Sequence, residues 1–147
     1  MPVEDSTIQL AEKLLRKHEG YRQFPYRCPA GKLTVGYGRN LEALGIRQSE
    51  AEYMLHTDVN QITDMLSSML PFFKDLDAVR QAVLIDMAYQ LGMAGLLAFE
   101  KMIGALSCGA WDHAVLEMMD SRWAFQTTNR ARELADMMRT GELPRGL

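Results

Sequence analysis

The sequence is poor in the residues that most often mark a metalloprotein or a disulfide scaffold. It has two cysteines and three histidines in 147 residues, and the histidines match no metal-ligand spacing. We therefore expect no metal and no cofactor, and a metal-dependent peptidase, which needs clustered ligands, is disfavoured. Cys28 and Cys108 could pair, but nothing else in the sequence is typical of a secreted disulfide scaffold.

Long apolar runs and strong charge are also missing. No stretch approaches the roughly 20 apolar residues of a membrane span, so stable membrane insertion is not expected. The first ten residues, MPVEDSTIQL, contain acids and no apolar run, which disfavours a signal peptide. The net charge of -3 disfavours a dedicated nucleic-acid binder, because such proteins normally present a basic surface. These absences predict a soluble protein that is kept in a reducing cytoplasm.

The remaining pattern predicts one α+β domain that is mostly helical. Ser6 with Gln9, and Ser49 with Glu52, are typical of capping boxes and predict helices that begin there. Trp111 and Trp123 are predicted to anchor the core. The predicted elements are a sheet at 21–40, a central buried helix at 77–91, and shorter helices near 99–106, 111–119 and 128–138. The predicted single domain, 1–147, has a front lobe at about 16–60, a long linking helix at about 49–69, and a helical back lobe at about 71–147 that includes the N-terminal helix.

The segment HEGYRQFPYRCPAGKLTVGYG, residues 18–38, contains groups suited to hydrolysis. Glu19 ends a predicted helix, since Gly20 is a typical stop. A Glu in that place, facing a small sheet, suits a general acid, because burial would raise its pKa towards neutrality. Taken singly, Glu19 is more typical of a surface acid, Cys28 of a small buried hydrophobe and Thr34 of an ordinary strand residue.

The spacing of these three residues resembles the active-site signature of the phage lysozymes, glycoside hydrolase family 24. In that signature a Glu is followed after eight residues by Asp or Cys, and after five more by Thr, with flanking EG and GYG motifs. Two further segments are similar to the T-even members of the family. They are DAVRQAVLIDMAYQLG at 77–92 and WDHAVLEMMDSRWAFQTTNRARELADMMRTG at 111–141.

The resemblance implies a two-lobe, lysozyme-like fold and a muramidase, which hydrolyses the β-1,4 bond between N-acetylmuramic acid and N-acetylglucosamine in peptidoglycan. Glu19 would give a proton to the leaving oxygen, and Thr34 would hydrogen-bond a water on the opposite face of the sugar. Cys28 stands where the commoner family pattern has a carboxylate. It would act as a partial thiolate, or it would position water together with Thr34. Arg130 matches the family arginine that pairs with the catalytic Glu.

Other positions are carried over by the resemblance as glycan contacts. These substrate-binding residues are Asn40, Tyr89, Gln90 and Glu117. An aromatic ring at Tyr89 would pack on a sugar face, and a half-buried core position is the alternative for this residue. Arg39 occupies a His position whose usual partner aligns with Asp58, which predicts a charge-assisted pair of structural importance.

The resemblance also implies a biological context. The chain would be a phage or prophage endolysin, a monomer that acts on peptidoglycan glycan strands. It would accumulate in the host cytoplasm until a separate holin-type protein opens the membrane and releases it to the cell wall or periplasm.

Two alternatives remain beside the enzyme. A non-catalytic peptidoglycan-binding relative is suggested by the change from Asp to Cys at position 28, and an amidase would use Cys28 as nucleophile with a histidine base. Retention of Glu19, Thr34 and Arg130 together favours the muramidase.

Overall fold

The computed structural model describes residues 2–147 and divides them into two compact units. The first unit ends at Tyr53, and the second runs from Met54 to Leu147. Within residues 2–147 there are eight α-helices and one three-stranded antiparallel sheet, which is the predicted α+β, lysozyme-like fold class. The predicted lobe boundaries, and the place of the N-terminal helix in the back lobe, stay predictions.

The first helix, α1 (Asp5–Glu19), ends where the sequence predicts. Gly20 follows it with a φ of 69°, and the Gly20 N–H donates to the carbonyl of Arg16 at 3.1 Å. Glycine adopts this conformation without steric cost, so the helix stops and Glu19 is its last residue. The predicted capping box at Ser6 is wrong. Glu4 precedes the helix without a side-chain cap, and the Ser6 hydroxyl lies within the first turn, where it donates to the Glu4 carboxylate at 3.2 Å.

The sheet confirms the prediction for 21–40. Its strands, in spatial order, are β1 (Arg22–Arg27), β2 (Leu33–Gly36) and β3 (Arg39–Asn40). Thr34, in the central strand, pairs with Tyr26 of β1 and with Asn40 of β3. The register shifts between Arg22 and Tyr26, so this part of β1 bulges from the ladder. Pro25 lies in the bulge, where its missing N–H breaks no ladder hydrogen bond.

Two helices follow the sheet. They are α2 (Leu41–Leu44) and the long α3 (Gln48–Met69), which matches the predicted linking helix in its bounds. The boundary between the units lies inside α3, after Tyr53. The predicted capping box at Ser49 and Glu52 is wrong by two residues. The Glu50 carboxylate accepts the N–H of Arg47 at 2.8 Å, the reciprocal contact of a capping box that begins at Arg47.

The buried core of the described chain lies in the second unit. Its remaining helices are α4 (Ala78–Leu97), α5 (Glu100–Ser107), α6 (Trp111–Met119), α7 (Arg122–Gln126) and α8 (Thr128–Thr140). On α4, Val83, Leu84, Met87 and Ala88 are buried, while Gly92 interrupts the helix with a φ of 76°. The regular part of α4 therefore agrees with the predicted central helix. Taken singly, none of the helices in residues 2–147 is long and apolar enough to cross a membrane; α4 and α5 reach that content only as a pair bent by 100°.

The tryptophans anchor this core as predicted. Trp123 is buried and its ring meets the ring of Phe99 edge to face, with centroids 6.0 Å apart. Trp111 packs against the outside of the core. Helix α7, which carries Trp123, was not predicted. It begins at Ser121, whose hydroxyl accepts the N–H of Ala124 at 3.1 Å.

Candidate active site

The carboxylate of Glu19 lies directly against the GYG motif within the first unit. A Cβ built on Gly38 would stand 2.5 Å from Glu19 Oε2 and 2.9 Å from Glu19 Cδ, and the φ of Gly38 is +70°. Only glycine combines that backbone with that space, so Gly38 is the residue that lets the carboxylate approach the sheet. Glu19 itself is exposed. The burial expected of a general acid is therefore not present in this structure.

Cys28 lies in the turn between β1 and β2 and is half-buried. The turn is closed by two backbone hydrogen bonds, from Cys28 N–H to Lys32 O at 3.0 Å and from Gly31 N–H to Cys28 O at 2.7 Å. A hydrogen bond from the Lys32 N–H to the sulfur lowers the pKa of the Cys28 thiol, and it outweighs burial, which raises it. Contacts from Ala30 N–H and the Thr34 hydroxyl lower this pKa further. Because these donors favour the charged form, the turn increases the thiolate fraction of Cys28.

Thr34 is buried in the middle of the sheet, with 4% of its surface exposed. Its hydroxyl donates to the carbonyl of Lys32 at 2.8 Å. A hydroxyl has one proton, so Thr34 can give it either to this carbonyl or to the Cys28 sulfur. The oxygen keeps its lone pairs in both cases and can accept a hydrogen bond from a water. The structure thus brings Thr34 and Cys28 together around Lys32.

Asn40, a predicted glycan contact, has a local structural contact. Its Oδ1 accepts the N–H of Ala43 at 3.1 Å and caps the short helix α2. The cap uses the side-chain oxygen and leaves the amide NH₂ as a donor. The residue therefore combines a cap with a free donor beside Thr34, its partner in the sheet.

The other predicted glycan contacts belong to the second unit. Tyr89 is 49% exposed on α4, and its glycan contact stays a prediction. Gln90 accepts a hydrogen bond from Trp123 Nε1 at 2.8 Å, so its side-chain oxygen is already held by the core. Glu117 lies 3.4 Å from His113 Nε2 and lines a cavity of about 430 Å³, whose apolar wall includes Phe99, Met102 and Trp123.

Arg130 pairs with a carboxylate that the sequence analysis did not single out. Its Nε donates to Asp86 Oδ1 at 2.9 Å, its Nη2 lies 2.8 Å from the same oxygen, and Nη2 also donates to the Asp86 carbonyl at 3.4 Å. Asp86 is an isolated acid on the apolar helix α4, and that isolation was the available signal. The predicted pairing of Arg130 with the catalytic Glu stays a prediction.

Arg39 pairs with Glu50 of its own unit, and the predicted pair with Asp58 of the second unit stays a prediction. Arg39 Nη1 donates to Glu50 Oε1 at 2.6 Å, and Nη2 donates to Oε2. The Arg39 hydrogen bonds, followed by that of the Arg47 N–H, lower the pKa of Glu50 to about 2. The same pair raises the pKa of Arg39. Sequence reasoning missed Glu50 because it placed the capping box at Ser49 and Glu52, two residues beyond the observed contact.

Metal ligation has little support in the described residues. Within 2–147, no three His, Cys, Asp or Glu side chains lie close enough to hold a metal ion together. Cys28 and Cys108 are both free thiols. The first unit offers the carboxyl group of Glu19, the thiol of Cys28 with its lowered pKa and the hydroxyl of Thr34.

Comparisons with known proteins identify the family of the chain. The family model described as phage lysozyme matches residues 16–139. The chain is 25% identical to probable T4-type lysozyme 1 of Dictyostelium discoideum, over 92% of this chain and 97% of that protein. It is 28% identical to an endolysin of Acyrthosiphon pisum secondary endosymbiont phage 1, over 85% of this chain and 86% of the other.

A longer relative contains a similar region. The pre-baseplate central spike protein of Enterobacteria phage T4 is 25% identical over 97% of this chain, which corresponds to 30% of that protein. The family match covers Glu19, Cys28 and Thr34 as well as the helices of the second unit up to residue 139. On this evidence the chain belongs to the phage lysozyme family.

Proposed function

We propose that the chain is a muramidase that hydrolyses the β-1,4 bond between N-acetylmuramic acid and N-acetylglucosamine in peptidoglycan. The observation that carries the proposal is the position of the Glu19 carboxylate against Gly38, in the same compact unit as Cys28 and Thr34. Family membership supports a lysozyme-type hydrolase. A binding module would not need a carboxyl group held so closely to the sheet.

In the proposed reaction Glu19 acts as the general acid. Its proton passes to the glycosidic oxygen as the bond from that oxygen to the anomeric carbon breaks, and positive charge develops on the sugar ring. A water molecule then forms the new bond to the anomeric carbon, with Thr34 accepting a hydrogen bond from it. The water releases one proton to bulk solvent, and the Glu19 carboxylate takes up a proton from solvent, so that one water is added across the bond and the site is restored. The exposed position of Glu19 in the free protein suits an acid that becomes enclosed only when glycan binds.

Cys28 takes the place of the second carboxylate of a glycosidase pair. Two alternatives were open, a partial thiolate or a neutral thiol that positions water. The lowered pKa of Cys28 supports the thiolate, because the N–H of Lys32 stabilises negative charge on the sulfur. A thiolate beside the sugar would stabilise the developing positive charge, which a neutral thiol cannot do.

The same lowered pKa is the observation that favours the amidase alternative, since a thiolate is also a nucleophile. That mechanism needs a base beside the sulfur. In the described chain the groups that lower the pKa of Cys28 are the backbone of Lys32, Ala30 and Cys28 and the Thr34 hydroxyl, and none of them is a histidine. The muramidase is therefore the better supported reading.

The test is the release of reducing ends from purified peptidoglycan, with the products identified by mass. Wild type is compared with Glu19→Gln and with Glu12→Gln, a matched control that removes the same charge from an exposed site on the same helix. We expect muramic-acid reducing ends from wild type and Glu12→Gln and none from Glu19→Gln. Free amines would instead indicate an amidase, and glucosamine reducing ends a different glycosidic bond. Wall binding without any product would support the binding module.

The proposed biological role is host-cell lysis by a phage or prophage endolysin. The endolysin among the relatives supports this role. The chain would act as a monomer, remain in the host cytoplasm and reach the wall through a holin-type protein. Expression in bacteria should then clear the culture only after the inner membrane is permeabilised. Clearing without permeabilisation would contradict the need for a separate release protein.

A further inference from the structure

One short segment touches two of the three proposed catalytic groups. Gly38 provides the space in which the Glu19 carboxylate lies, and Asn40 pairs with Thr34 across the sheet. Arg39 stands between them. We propose that the ion pair between Arg39 and Glu50 is a positioning pair that fixes this segment, and with it Glu19 and Thr34, for the reaction. The inference rests on the proposed function.

The geometry of the pair is suited to fixing a backbone segment. Both terminal nitrogens of Arg39 donate to the Glu50 carboxylate, and Arg39 Nη1 also donates to the carbonyl of Gly45 at 3.2 Å. Two parallel bonds between a planar guanidinium and a planar carboxylate define orientation as well as distance. The side chains of Arg39 and Glu50 are only 26% and 33% exposed, so water competes less for these bonds than on an open surface.

The Glu50 side of the pair is itself anchored. Its Oε1 accepts the N–H of Arg47 at 2.8 Å at the start of α3, and the guanidinium of Arg47 lies 3.6 Å from the same oxygen. The start of the 22-residue helix α3 therefore holds Arg39. Because Gly38 and Asn40 are the immediate neighbours of Arg39, a shift of this residue would move both of them.

Another ion pair of the same unit also has backbone contacts, from Arg27 Nη1 to the Gly31 carbonyl and from the Leu33 N–H to Glu42 Oε1, but differs in the contact between its two charged groups. Arg27 and Glu42 meet through a single 3.0 Å contact, and their side chains are 66% and 43% exposed. Exposed single-contact pairs of this kind contribute little. The Arg39–Glu50 pair differs from it in geometry and in exposure. Arg39 also directly follows Gly38, against which the Glu19 carboxylate lies.

The experiment measures kcat and KM separately on solubilised glycan strands, for Arg39→Met, Glu50→Gln and the double variant. A glutamine at position 50 keeps an oxygen for the Arg47 N–H, so this change removes the charge while it leaves the helix cap. Asp136→Asn is the matched control, because it removes the partner of Arg139 from an exposed pair on α8. Arg39→Lys tests whether charge alone is sufficient. Melting temperatures show that each variant is folded at the assay temperature.

We expect each single variant to lower kcat by roughly tenfold to a hundredfold with little change in KM, since misplacement by about 1 Å can cost that much. The double variant should be no worse than the poorer single one, because both changes break the same pair. Arg39→Lys should restore part of kcat, and Asp136→Asn should leave it unchanged.

Different results would contradict the positioning proposal and the proposed muramidase function. If wild type releases no muramic-acid reducing ends, the proposed function is wrong. If wild type cleaves and either single variant stays within twofold of its kcat, the positioning proposal alone is wrong. A rise in KM at constant kcat would overturn it too, and so would losses in the two single variants that multiply in the double variant.

Discussion

The carboxylate of Glu19 occupies the place where a side chain at Gly38 would begin. A Cβ at position 38 would lie 2.5 Å from Glu19 Oε2, closer than atoms of this kind approach one another. The absence of a side chain at one residue thus leaves room for the acid at another. The contacts of Gly38, Cys28, Glu50 and Arg80 lead to five predictions, two of them for Cys28.

Gly38→Ala should lower kcat by more than its loss of stability alone would explain. The methyl group would displace the Glu19 carboxylate, and we expect a loss of roughly tenfold or more in kcat. Positive φ adds about 1–2 kcal/mol of destabilisation for any residue other than glycine. Gly36→Ala is the control, because Gly36 has a φ of +66° and nothing within 4 Å of its Cβ position. Equal kcat losses in the two variants would show that backbone strain, and not contact with Glu19, is responsible.

The rate of alkylation of Cys28 should rise with pH around a pKa that lies below that of a free cysteine, about 8.5. The reason is the hydrogen bond from the Lys32 N–H to the sulfur. The rate is measured against pH in a Cys108→Ser background, which leaves Cys28 as the single thiol. A midpoint at or above that of a short cysteine peptide would contradict the prediction.

The shift of Cys28 also has a consequence for stability. Since its pKa is depressed in the folded state, the thiolate contribution is fully present above the unfolded-state pKa. It is lost as the pH falls through the lower, folded-state value. Between these two values wild type should therefore gain stability relative to Cys28→Ala as the pH rises. A difference in melting temperature that does not change with pH would argue against the shift.

Glu50 should stabilise the fold in a pH-dependent way. Its folded-state pKa of about 2 lies below the unfolded-state value of about 4.3. The contribution is therefore present above about pH 4.3 and is lost as the pH falls towards 2. Urea unfolding of wild type and Glu50→Gln should give a constant difference near neutral pH that shrinks in acid. A difference that grows below pH 4 would reverse the predicted sign.

Arg80 should be among the residues most important for the stability of the second unit. Its side chain is only 11% exposed, and it donates to the carbonyls of Met138 at 2.6 Å and Arg139 at 3.0 Å. Its guanidinium also lies 4.0 Å from the centre of the Trp111 ring. Replacing it would leave two helix-end carbonyls without their charged donor and remove a cation–π contact.

We expect Arg80→Met to cost about 3 kcal/mol in the free energy of unfolding, measured by urea denaturation. Arg80→Lys should recover part of this free energy. The lysine ammonium keeps the positive charge but lacks the forked N–H donors of the guanidinium. Arg132→Met, at an exposed position of α8, is the control and should stay within about 0.5 kcal/mol of wild type. A loss below about 1 kcal/mol for Arg80→Met would show that water replaces its contacts.

The helices were predictable wherever local sequence determines them. The end of α1 at Gly20, the bounds of α6 and the regular part of α4 follow from glycine chemistry and apolar periodicity. The capping boxes predicted at the starts of α1 and α3 were wrong because a serine near a helix start indicates a cap only approximately. Helix α7 was missed because five residues give too little periodicity to recognise.

The site was predictable in its residue types and not in its contacts. The spacing of Glu19, Cys28 and Thr34 indicated the family, but Glu50 and Asp86 became visible only as partners of arginines. A charged side chain is long enough to reach several carboxylates, and the sequence does not show which one is near. The importance of Gly38 was also not visible in the sequence, because it depends on the space beside this residue and not on a functional group.

The bulge in β1 has a consequence for how molecules of this chain meet each other. β1 lies at the edge of the sheet, where a regular strand would offer a row of hydrogen-bonding groups to any extended neighbour. Pro25 and the register shift interrupt that row, and Arg22 and Arg27 place positive charge at both ends of the strand. An edge of this kind is a poor template for strand-to-strand addition.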